Sequence, residues 1–154
     1  MTEHRRVVVT GMGLATPLGI GLKNNWSKLT ESQSGLRSIQ SFDVSDLPAK
    51  IAGQVPRGDT ASGLFNADDW VAPKDQRKID TFILYAMAAA QMAIEDSGWK
   101  PQDEESRERT GVLIGSGIGG LPEINDTAIT LKEKGPRRVS PFFIPSALIN
   151  LASG

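Results

Sequence analysis

Cysteine is absent from this chain of 154 residues, which excludes disulfides, thiolate metal sites and a cysteine nucleophile within it. Histidine is nearly absent too. The single imidazole, His4, stands between Glu3 and Arg5. One imidazole cannot build a metal site, so His4 reads as a solvated chain end with no function, and neither metal nor cofactor is expected. Long apolar runs are also lacking. Arg5-Arg6 precede only Val7-Val8-Val9 before Thr10 and Gly11, far short of the apolar core of a secretory signal. Nothing approaches the ~20 apolar residues that cross a bilayer, and the expected compartment is the cytoplasm. A net charge of -1 leaves no electrostatic footprint for nucleic acid or an anionic membrane. Charge can act here only through local clusters.

What is present is the composition of a soluble globular protein with a core, 39% hydrophobic and 23% charged. Residues 7–9 form a β-branched run ended by Gly11 and Gly13, which predicts a strand buried on both faces in a parallel or mixed sheet. A turn over residues 11–19 leads to a helix over 22–30 with Leu22, Trp26 and Leu29 on one face. Residues 32–50 read as irregular surface, 51–55 as a short edge strand, and 57–73 as a polar segment with one helical turn near Ala67 to Trp70.

From Lys74 the character changes. The charged stretch Lys74-Asp75-Gln76-Arg77-Lys78, with Pro73 in the first turn, opens a long helix over 79–96 that Ser97-Gly98 stops. Phe82, Ile83, Tyr85, Met87, Met92 and Ile94, with alanines at 86, 88, 89, 90 and 93, leave it almost no polar face, which places it inside a larger body. The alanine run predicts close backbone approach by a neighbour. Residues 100–109 read as a charged loop, 110–114 as a second buried strand and 115–120 as a glycine turn. A helix over 121–134 ends at Gly135-Pro136, and an apolar helix follows the aromatic pair Phe142-Phe143 through about 144–151. Strand, turn and helix therefore occur twice, and the class is α/β.

The turn Gly115-Ser116-Gly117-Ile118-Gly119-Gly120 carries the bare G-x-G-x-x-G pattern of a dinucleotide-binding loop. The pyrophosphate half of that reading is satisfied on paper. The ribose half is not, because no apolar strand ending in Asp or Glu follows, and Pro122 sits where the helix begins. The N-terminal turn has Thr16 in the place of the third glycine, and no G-x-x-x-x-G-K-[ST] loop exists. On spacing alone, the glycines of 115–120 serve positive φ and tight packing at a strand end.

Taken together, the motifs at 5–13, Gln33-Ser34-Gly35, Gln76-Arg77-Lys78, 115–120 and Ser140-Pro141-Phe142-Phe143-Ile144-Pro145-Ser146 resemble the amino-terminal part of β-ketoacyl-[acyl-carrier-protein] synthases, most closely type II. The resemblance implies part of the first half of a thiolase-like layered α/β fold, incomplete in this chain, with residues 1–154 as a partial ketoacyl-synthase domain. It also implies an acyltransferase of fatty acid biosynthesis that performs a decarboxylative Claisen condensation with malonyl-carrier protein, through a Cys nucleophile and two His. The Cys is expected shortly after Gly154 and the His pair further on. No catalytic residue is therefore assigned, and the isolated chain is expected to be inactive and to fold or dissolve poorly.

Supporting sites transfer by resemblance. Ile118 matches the acyl-pocket residue beside the nucleophile, and Phe143 the aromatic that reaches the partner subunit's acyl pocket in the family homodimer. Lys74, Arg77 and Lys78 match a basic patch that docks the acidic acyl carrier protein, to which Arg137 and Arg138 can add. Ordinary core packing and a solvated helix end are the plain alternatives for these residues. Two rival functions stay open: a catalytically silent condensing-enzyme partner of the chain-length-factor type, and, remotely, a dinucleotide-binding domain.

Overall fold

The computed structural model describes residues 5–154, so His4 lies outside the described residues. The described residues begin with a segment outside helices and strands, over 5–14, followed by a tight hairpin of β1 (Ala15–Thr16) and β2 (Gly19–Ile20). Helix α1 (Leu22–Thr30) follows, as its spacing predicts. Asn25, buried on α1, ties helix to hairpin: its Nδ2 donates to the carbonyls of Gly19 at 3.1 Å and Gly21 at 2.8 Å, and its Oδ1 accepts from Thr16 Oγ1. A second antiparallel pair joins β3 (Leu36–Ser38) and β4 (Ile51–Gly53), the latter shorter than the expected 51–55.

Residues 54–72 fold back through 3-10 turns at Thr60–Ser62 and Ala67–Asp69, capped by Asp59 and Asn66. The core forms where this segment meets the hairpin and the long helix. Ile20, Phe65, Val71, Leu84 and Ala88 are buried there. The Phe65 ring meets Tyr85 edge-on, with centroids 4.9 Å apart.

The long helix expected over 79–96 is present, but its charged entry forms a separate short helix. Short α2 (Pro73–Gln76) starts on Pro73, and long α3 (Thr81–Ser97) starts afresh behind Asp80. Gly98, at φ 66°, closes α3 in the left-handed conformation. Ile83, Leu84 and Ala88 are buried, whereas Met87 and Ile94 remain exposed, so only part of this apolar helix is covered by the described residues. Its alanine stripe does admit a close neighbour, namely the opening segment. A Cβ on Gly13 would sit 2.0 Å from the Ala89 carbonyl oxygen, and one on Gly11 2.4 Å from that of Ala93. Met12 N–H is anchored on Asp96 Oδ2 at 2.9 Å.

Both predicted inner strands require correction. Residues 7–9 and 110–114 are not in strands, and Val7, Val8, Val9, Val112 and Leu113 are exposed, Leu113 at 99%. A β-branched run becomes a strand only against a neighbour that accepts its ladder of N–H and C=O groups. No described residue provides that neighbour. The charged stretch 100–109 contains a short helix, α4 (Glu104–Glu108), capped by Asp103.

Helix α5 (Leu121–Lys134) matches its expected bounds. The apolar C-terminal helix does not: α6 (Phe143–Ala147) ends early, Leu148 is extended, and a 3-10 turn covers Ile149–Ala152. The Ala147 carbonyl, needed by Leu151 to continue the helix, instead accepts from Gly120 N–H at 3.1 Å. Tertiary contact ends the helix.

Candidate functional site

Three segments converge at one end of α3: the basic stretch on α2, the glycine turn before α5, and the aromatic pair at the start of α6. Lys74 and Arg77 are exposed. Lys78 is held. Its Nζ lies 2.6 Å from Asp75 Oδ1 and 5.7 Å from the centre of the Phe142 ring. The hydrogen bond from Lys78 holds the Asp75 carboxyl below its ordinary 3.8. The basic stretch and the aromatic pair therefore touch through Lys78 and Phe142.

The glycine turn divides into two halves. Gly115 and Gly117 have open space where a side chain would go, so neither the positive φ nor the tight packing expected of them is seen among the described residues. Gly119 carries both burdens and Gly120 the second. Gly119 has φ 82°, and a Cβ there would meet Ile149 Cγ2 at 2.6 Å and the Ala147 carbonyl oxygen at 2.8 Å. Gly120 lies against Ala147 and Ser146 of α6. Ile118 itself is 66% exposed, and Phe143 is half-buried in the first turn of α6. An apolar groove of about 500 Å³ lies beside α1 and is lined by Leu22, Trp26, Leu29 and Leu36; neither Ile118 nor Phe143 contributes to it.

Asp80 links the first two segments. One carboxylate oxygen accepts from Thr81 N–H at the start of α3, and the other accepts from Glu123 N–H in the first turn of α5 at 3.3 Å. Helix α5 has no side-chain cap of its own, since its N-cap position is Gly120. The other groups of its first turn are accounted for: Leu121 N–H donates to Gly119 O, Ile124 N–H to Gly120 O, and Pro122 has none. Asp80 thus fills the one vacancy, with its negative charge at two helix N-termini. Sequence reading passed over Asp80 by starting the helix at Ile79. An acidic residue before an apolar periodic run is an N-cap signal that marks the start of α3; the bond to α5, 43 residues away, has no local signal.

The chain matches the family profile described as "Beta-ketoacyl synthase, N-terminal domain" over residues 4–154. The chain belongs to the β-ketoacyl synthase family. It is 59% identical over 150 residues to a protein of Rhizobium meliloti (strain 1021) described as 3-oxoacyl-[acyl-carrier-protein] synthase 2, covering 97% of this chain and 36% of that protein. The chain therefore spans about a third of the length of such curated relatives.

Among solved structures it resembles the ishigamide ketosynthase/chain length factor, with a TM-score of 0.75 at 24% identity over 97% of this chain and 36% of that one. A second similar structure is a type II PKS acyl-carrier protein in complex with its ketosynthase bound to the hexaketide, with a TM-score of 0.68 at 22% identity over 96% of this chain and 37% of that one. The fold is that of ketosynthases, an incomplete portion of the thiolase-like layered α/β fold expected from the motifs. Residues 115–120 lie within the stretch that matches the ketoacyl-synthase profile, which supports the condensing-enzyme reading over the dinucleotide one. Among the described residues no helix is long and apolar enough to cross a membrane.

Proposed function

We propose that a full-length protein carrying this chain is a 3-oxoacyl-[acyl-carrier-protein] synthase of the type II kind, acting in fatty acid biosynthesis in the cytoplasm as a homodimer. The observation that carries the reading is the high identity over nearly the whole chain to a relative of that description. The reaction joins an enzyme-bound acyl thioester to the α-carbon of malonyl-carrier protein. Loss of CO2 leaves an enolate, which attacks the acyl carbonyl; the C–C bond forms and the cysteine thiolate departs. The chain lacks cysteine altogether and has His4 as its lone histidine. On this reading it is a partial domain, and the nucleophile and the His pair lie outside these residues.

The roles of these residues are then supportive. Ile118 borders the acyl tunnel, where a branched apolar side chain suits a fatty chain. Phe143 reaches the partner subunit's pocket. Lys74, Arg77 and Lys78 steer and hold an acidic acyl carrier protein, a role supported by the exposure of Lys74 on the short helix α2 and of Arg77 just after it. A silent partner subunit is the second reading, since a structure of the same fold is described as ketosynthase/chain length factor. The residue at the nucleophile position of the full-length protein separates the two, cysteine meaning a condensing enzyme.

Condensation by the full-length protein, measured across acyl-carrier substrates of increasing chain length, tests the main reading. Ile118→Phe should fill the tunnel and move the preference to shorter chains. A preference identical to that of the parent protein removes Ile118 from the pocket.

A further inference from the structure

Asp80 stands between two groups of residues to which the proposed function gives separate tasks. On one side, residues 74–78 meet the carrier protein; on the other, the turn that bears Ile118 faces the acyl chain. We propose that Asp80 is a positioning residue that sets the acyl-pocket turn against the carrier-docking segment, by capping α3 and α5 with a single carboxylate. This rests on the reading of Ile118 and Lys78 given above.

The geometry has three parts. Asp80 follows Lys78 by two residues, so its backbone moves with the basic stretch. Its two oxygens are engaged on different helices, Thr81 N–H of α3 and Glu123 N–H of α5, the second at 3.3 Å. Gly120 makes room for this, since a Cβ there would lie 3.0 Å from Asp80 Oδ2. Glu123 N–H has no alternative acceptor from its own N-cap side chain. Removing the bridge takes from the start of α5 its one link to Asp80, and leaves the contacts of Gly119 and Gly120 with Ser146, Ala147 and Ile149 to hold the turn that follows Ile118.

The test is Asp80→Asn in the full-length protein. An amide has one acceptor oxygen and can serve one of the two helices but not both. Asn is also a good N-cap, so α3 keeps its start. Amide exchange at Glu123 should accelerate about fivefold, the consequence of one lost hydrogen bond. The ratio of kcat/KM for long over short acyl substrates should change by a similar factor, while the Kd for the carrier protein stays at its parent value.

Asp80→Ser, a capping residue too short to span, should behave alike and serves if the amide variant does not fold. Unchanged Glu123 exchange overturns the proposal. So does faster exchange with an unchanged ratio, in a protein whose Ile118→Phe variant shifts that ratio. If Ile118→Phe also leaves the ratio unchanged, the acyl-pocket reading fails and takes this inference with it.

Discussion

Replacing Gly120 by alanine measures how firmly the turn is seated on α6. The residue has φ -79° and ψ 56°, an inverse γ-turn closed by the 3.0 Å bond from Leu121 N–H to Gly119 O. Any L residue adopts that conformation, so the added methyl costs little in backbone strain. Space decides the outcome. The new Cβ would lie 2.7 Å from Ala147 Cα, 2.9 Å from the Ser146 carbonyl oxygen and 3.0 Å from Asp80 Oδ2. A carboxylate can swing aside by a few tenths of an ångström, but the first two atoms are helix backbone. Helix α6 must retreat, stretching the 3.1 Å bond from Gly120 N–H to Ala147 O.

Overpacking of this kind costs about 1–3 kcal/mol, and weakening the bond adds about 1 kcal/mol. The expected loss is therefore about 2–4 kcal/mol. Urea unfolding of the full-length protein, at fixed protein concentration, should show a lower midpoint with an unchanged m-value. Adding Asp80→Ala should not rescue the variant, since the carboxylate is the one obstacle that can move. A Gly120→Ala protein within about 0.5 kcal/mol of its parent would refute the close approach. Recovery in the double variant would identify the carboxylate, not the helix, as the obstacle.

Charge reversal at Arg77 and Lys78 should weaken binding of the acyl carrier protein by at least tenfold at low salt, with the difference shrinking as salt rises; titration calorimetry at two ionic strengths reads this, and salt-independent affinity would favour a merely solvated helix end. The Lys78–Asp75 pair makes a pH prediction. Asp75 is lowered by its hydrogen bond to Lys78, so the charged form is favoured in the fold. Its contribution is fully present above the ordinary aspartate range and is lost as pH falls through the lowered folded value. Comparing acid unfolding of the parent with Asp75→Asn should show a steeper acid loss in the parent; parallel curves would mean that the pair does not matter. Ile118→Phe, with its shift toward shorter acyl chains, completes the set.

Local chemistry was sufficient for the helices at 22–30 and 121–134, because apolar spacing, and for the second the breaker Gly135-Pro136, act within a few residues of one another. The alanine stripe of α3 likewise announced a close neighbour before that neighbour was known, and the five motifs pointed to the family and its layered fold. Other features depended on atoms distant in the chain. Residues 7–9 and 110–114 have the composition of inner strands, yet a strand exists only where another chain segment takes its hydrogen bonds, and the described residues contain none that does so. The early end of α6 follows from Gly120 claiming the Ala147 carbonyl, and the start of α5 from a carboxylate on another helix. In the glycine turn, residue type alone could not separate Gly115 and Gly117, which stand in the open, from Gly119 and Gly120, which are pressed against α6. Periodicity and capping are short-range and can be read along the chain; hydrogen-bond ownership and steric room are settled when distant segments meet.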